Sequence, residues 1–192
     1  MKRSIQVCIL AATAILFILS SCKKDTATPI PATVEKTDSL KVNFSTNSTF
    51  AFFSFKNGTV IANSDSATTK WDFGLRLTTF ILNSHTYGPG NTGAILQNGI
   101  YSNCTMAPAS GYAYDTTSSQ KGIKDGTWYD YNPATHSFSP KAGQTFLFRT
   151  ADNFYVKMEL LAVDYEPFVG PSPLRLIYRF RYTYQSNGTI NF

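Results

Sequence analysis

The chain has 192 residues and carries 17 Lys and Arg against 12 Asp and Glu, a formal net charge of +5. Once Lys2 and Arg3 leave with the leader described below, 15 basic residues face 12 acidic ones, too weak an excess to select nucleic acid or a strongly anionic partner. With 15 Phe, 11 Tyr and 2 Trp among many Thr, Ser, Asn and Gly, the composition is that of a β-rich domain.

Residues 1–21 read as a lipoprotein signal peptide. Lys2 and Arg3 precede an apolar run from Ile5 to Leu19, interrupted by Gln6, Cys8 and Thr13, and the small residues Ser20 and Ser21 lead into Cys22. The run is shorter than the ~20 apolar residues of a transmembrane helix. Cleavage before Cys22 and acylation of its thiol anchor the chain to a membrane by lipid. A mature chain of 171 residues suits one domain with a sizeable core. Cys8 leaves with the leader and lipid consumes Cys22, so Cys104 has no partner for an internal disulfide.

Residues 22–39 are polar and proline-bearing and read as a flexible tether, which at ~5–6 Å × √n holds the domain within a few nanometres of the bilayer. From residue 40 to 192 the pattern is that of one all-β domain of mostly antiparallel sheets. Thr49–Lys56 and Thr59–Ala62 flank Asn57-Gly58, the signal for a hairpin with a tight type I′ turn. Trp71, Phe73, Leu75 and Leu77 alternate with Asp72, Gly74 and Arg76, predicting a strand with one buried face, and Phe80-Ile81-Leu82 follows. Between residues 83 and 127, Gly88-Pro89-Gly90, Gly93, Gly99, Pro108 and Gly111 break every long element, predicting long loops. Gln144–Thr150 and Phe154–Leu161, joined by Ala151-Asp152-Asn153, form a second hairpin, followed by an acidic, proline-bearing loop from Asp164 to Pro173. The last strand alternates most cleanly. Leu176, Tyr178, Phe180, Tyr182 and Tyr184 share a core face, and Arg175, Arg179 and Arg181 share the other, as a solvated row or as an anion clamp.

The order of these motifs resembles one family. After the lipobox and tether come Phe53-Ser54-Phe55 with Gly58, Trp71-Asp72-Phe73-Gly74-Leu75, and Ile81-Leu82-Asn83-Ser84. The later half carries Gly126-Thr127-Trp128-Tyr129-Asp130-Tyr131-Asn132-Pro133, Phe148-Arg149-Thr150-Ala151-Asp152, Tyr155-Val156-Lys157-Met158-Glu159 and Tyr178-Arg179-Phe180-Arg181-Tyr182. The chain is similar in this to the HmuY family, the haem-capturing lipoproteins of Bacteroidetes, from about Phe50 to the C-terminus. The resemblance implies an all-β fold, placement at the outer membrane, haem as the bound group, and delivery to a TonB-dependent receptor. Lys23 follows the cysteine, with Asp25 the nearest acid, which leaves both the periplasmic and the surface face open.

Six-coordinate haem iron needs two axial donors, usually His or Met, on opposite faces of the ring. The resemblance implies such a pair from two loop-strand regions in the second half of the chain, but the 164–173 loop contains neither residue. The mature chain offers His136 and Met106, both in loop-rich segments, as the first candidates. His85 and Met158 stand second, because His85 follows a strand and Met158 alternates with Val156 and Leu160 at a core position. Catalysis has no visible basis: Gly-x-Ser-x-Gly, His-Glu-x-x-His, Cys-x-x-Cys and a phosphate-binding glycine loop are all missing, and the expectation is a non-enzyme. The alternative is a surface lipoprotein that binds a glycan, peptide or partner protein, with Trp128, Tyr129 and Tyr131 as flat stacking faces.

Overall fold

A computed structural model describes residues 33–44, 49–169 and 172–192. The signal peptide, the lipidation site Cys22 and residues 22–32 of the tether lie outside the described residues. Among the described residues thirteen strands run in chain order as β1 Glu35–Asn43, β2 Ala51–Ser54, β3 Thr59–Ile61, β4 Phe73–Arg76, β5 Thr79–Leu82, β6 Gly93–Asn98, β7 Tyr129–Asn132, β8 Ser137–Pro140, β9 Gln144–Arg149, β10 Tyr155–Tyr165, β11 Phe168–Val169, β12 Ser172–Pro173 and β13 Arg175–Gln185. All the pairings between them are antiparallel. A five-stranded sheet in the order β1-β13-β10-β9-β6 faces a four-stranded sheet in the order β3-β2-β4-β5, and the β7–β8 and β11–β12 hairpins stand apart.

The shared core is aromatic. Phe53 meets Phe180 with ring centres 5.0 Å apart, Phe80 meets Phe146 at 5.5 Å, and Phe55 meets Tyr182 at 5.3 Å, each pair crossing from one sheet to the other. Tilted and edge-on pairs of this kind add about 0.5–1.5 kcal/mol each beyond the area they bury. Alternation along β13 puts Leu176, Tyr178, Phe180 and Tyr182 into this layer, as the sequence pattern predicts.

Several local expectations change. The tether reading ends too late, because Glu35–Ser39 already belong to β1, which pairs with β13 from Glu35↔Thr183 to Asn43↔Arg175. Main-chain hydrogen bonds set that ladder and ask nothing of the polar side chains. In the first hairpin the last strand pair is Ser54↔Thr59, so the loop is the four residues Phe55–Gly58 and not a two-residue Asn-Gly turn. Gly58 alone there takes a positive φ, +62°. The longer loop lets the Phe55 ring enter the core while its N–H donates to Asp72 Oδ2 at 2.8 Å.

β4 is covered on both faces, not one. Phe73 and Leu75 face the main core, while Gly74 lies under Phe52 and Ile81, with which Trp71 forms a second cluster. Leu77 leaves the strand at φ +47°. Within the 83–127 region β6 forms the edge of the large sheet, its Ala94 buried and Leu96 packed against the core, and loops occupy most of the remainder. The second predicted hairpin forms as β9–β10, but β10 runs on to Tyr165 past a register shift between Leu160 and Ala162.

Candidate functional site

The β7–β8 hairpin begins at Trp128, whose ring is buried against Phe80, Phe138 and Tyr178 and whose indole N–H donates to Thr78 O at 3.2 Å. The Tyr165 hydroxyl holds β8 by accepting the Phe138 N–H at 2.7 Å and donating to Phe138 O at 3.2 Å. Trp128 is therefore a core residue at 1% exposure, and the stacking platform considered for it does not exist. Tyr131, at 55% exposure, points outward.

At the tip, Asn132 Oδ1 accepts the Ala134 N–H at 2.9 Å and closes the turn. His136 then takes φ +51°, a left-handed conformation uncommon for a residue with a Cβ. Its Nδ1 shares a hydrogen bond of 2.9 Å with the Tyr131 hydroxyl, five residues back across the hairpin. Either group can donate in this contact; in the tautomer that carries its proton on Nδ1, the Tyr131 oxygen accepts and Nε2 keeps the lone pair that a metal ion requires. From sequence alone Tyr131 is one more aromatic stacking face. Its link to His136 appears only once β7 and β8 are paired.

The other candidate donors lie elsewhere. Met106 is exposed in the segment after the 3-10 turn Tyr101–Asn103, where it bridges to Asn191. That segment covers the outer face of the large sheet, since Lys157 Nζ donates to Cys104 O at 2.8 Å. Lys157 is pinned there over the rings of Tyr101 and Phe192, 4.6 and 5.3 Å from their centres, and burial pushes its ammonium pKa down. The His136 hairpin instead packs on Tyr165, on the core face and at the other end of β10. Eight residues separate Lys157 from Tyr165, roughly 25 Å of strand. His85 is exposed at φ +44° with its ring edge-on to Tyr114, and Met158 is fully buried in the core. His136 and Met106, the first pair of candidates, therefore stand on opposite faces of the large sheet, and the hairpin tip presents one imidazole donor.

The arginine row is matched by carboxylates. Arg181 bonds Glu159 at 2.6 Å and lies 3.7 Å from Glu35, Arg179 pairs with Asp164, and Arg175 lies 3.7 Å from Glu166. It reads as a cross-strand ion-pair ladder on a solvated face rather than an open anion clamp.

Solved structures share this architecture. The apo form of PinO from Porphyromonas gingivitis superposes with a TM-score of 0.52 at 11% identity, covering 79% of this chain and 98% of that one. The apo HmuY analog (TFO) from Tannerella forsythia gives 0.50 at 12% identity, covering 81% of this chain and 99% of the other. The chain has a divergent HmuY-like fold. No family model matches it, and no curated protein matches it by sequence.

Proposed function

We propose that this chain is a non-catalytic, lipid-anchored haem-capturing protein of the outer membrane, holding its ligand at the β7–β8 hairpin and passing it to a TonB-dependent receptor. The observation that carries the reading is the His136–Tyr131 pair on an HmuY-like fold, an exposed imidazole oriented through its Nδ1 by a neighbouring phenol. Haem supplies an iron that such a nitrogen ligates, and an imidazole serves both its ferric and ferrous states. Tyr131 acts through His136, fixing its tautomer and orientation, and Trp128, Phe138 and Tyr165 hold the hairpin that carries both. Met106 supplies no second axial bond in this arrangement, because it lies beyond the opposite face of the large sheet.

Haemin titration followed in the visible spectrum tests the reading. Wild-type protein should give a saturable Soret shift of a single-imidazole complex. His136→Ala should lose that spectrum and weaken binding at least tenfold, Tyr131→Phe should weaken it several-fold, and Met106→Ala should leave it unchanged. A wild-type spectrum indistinguishable from free haemin, or one retained in His136→Ala, overturns it. For the anchor, Cys22→Ala should release the protein from the membrane fraction, and continued firm association argues for a different anchor.

A further inference from the structure

Beside the start of β1 and the end of β13, under the first hairpin loop, lies a cavity of about 440 Å³, within the ~300–1,000 Å³ of small-molecule sites. Its walls are Thr33, Val34 and Lys36 at the start of the large sheet, Lys56 from the first hairpin loop, and Phe154, Tyr184 and Ser186. We propose that this mouth binds a planar aromatic carboxylate, recognised by its ring and its charge without any metal.

The rings of Phe154 and Tyr184 stand 5.8 Å apart at 58°, both half-buried, so each offers part of a face to the cavity. Flat ligands stack on such faces. Two lysines and no carboxylate line the walls, which selects an anion. The lysines differ in availability. Lys56 is held by Asp152 at 2.9 Å, whereas Lys36 makes no ion pair among the described residues.

Tyr182 lies directly across from Lys36 in the β1–β13 ladder. A methyl group placed on Gly58 would meet the Tyr182 hydroxyl at 2.9 Å and Lys36 Nζ at 3.9 Å, so glycine at that loop position leaves the Lys36 ammonium room beside the cavity.

Fluorescence titration with anthracene-9-carboxylate, and with neutral anthracene-9-methanol as control, tests the proposal on the full chain. The acid should bind saturably to wild-type protein and the alcohol at least tenfold more weakly. Lys36→Gln should lower affinity for the acid at least tenfold, Lys36→Arg should restore most of it, and Phe154→Ala should weaken both probes. Circular dichroism should be unchanged in all three variants. Equal affinity for acid and alcohol, unchanged affinity in Lys36→Gln, or no saturable binding overturns the proposal. Since the probes carry no metal, the outcome is independent of haem binding at His136.

Discussion

The carboxylate of Asp72 accepts the main-chain N–H of Phe55 at 2.8 Å through Oδ2 and that of Ala151 at 3.1 Å through Oδ1. One side chain thus stitches the first hairpin loop of the small sheet to the β9–β10 turn of the large one. Above it, Lys56 and Asp152 from the same two turns close an ion pair at 2.9 Å.

Burial pushes the Asp72 carboxyl up to about 6, against two N–H bonds that pull it down. The folded value lies above the ordinary 3.8, so the protonated acid is favoured in the folded state. Stability from this group is therefore complete below about pH 4 and is lost as pH rises through about 6, at most about 3 kcal/mol over the window. Urea midpoints of wild-type protein should fall as pH rises from about 4 to about 6.5 by an amount that Asp72→Asn lacks. Below about pH 5 the variant should be less stable than wild type by about 1–3 kcal/mol, because its amide NH2 replaces one of the two oxygens that accept main-chain N–H groups.

Lys157 fastens the 101–106 segment to the outer face of the large sheet, and the buried thiol of Cys104 lies beneath that fastening. Lys157→Ala removes the hydrogen bond to Cys104 O and both cation–ring contacts, at a cost of roughly 2–4 kcal/mol. Much of that loss is local opening. Reaction of Cys104 with a thiol reagent should be slow in wild-type protein and at least tenfold faster in the variant under native conditions. Equal rates would show that the segment is held by other contacts.

Two glycines of one loop should respond oppositely in size. A Cβ on Gly122 would meet the main-chain O of Ala113 and Leu82 Cδ1, both at 2.6 Å, whereas one on Gly126 would meet nothing within 4 Å. Gly122→Ala must move backbone, and it also disturbs the Gly122 N–H bond to Asp115 Oδ1 at 2.7 Å. Its cost should exceed about 2 kcal/mol. Gly126→Ala bears only the strain of φ +78°, about 1–2 kcal/mol. Thermal unfolding of the two variants separates these cases.

Much of the architecture was legible because strand signals are local. Alternation along Leu176–Tyr184 names its own core face, and Ala151-Asp152-Asn153 between two alternating runs names its own hairpin, whatever packs above them. The Asn57-Gly58 turn departs from its local signal because its geometry is set from a distance: Phe55 leaves the strand to fill the core, and Asp72, seventeen residues on, receives its N–H. The two-sided burial of β4 was hidden for the same reason, since Gly74 and Asp72 look like a solvent face until Phe52, Ile81 and the β9–β10 turn arrive.

The candidate site divides along the same line. Residue types alone determined which side chains could serve as donors, His85, Met106, His136 and Met158, and that no catalytic motif accompanied them. Which of them stand near one another was decided by the tertiary structure alone, because the sheet order β1-β13-β10-β9-β6 puts the 101–106 segment over one face of β10 and the His136 hairpin at the far end of the other. Local patterning dictates the strands and their buried faces, since alternation is a property of a few consecutive residues. The meeting of Tyr131 with His136, the burial of Trp128 and the cavity beside Lys36 depend on pairings between distant segments, and only the closed sandwich specifies those.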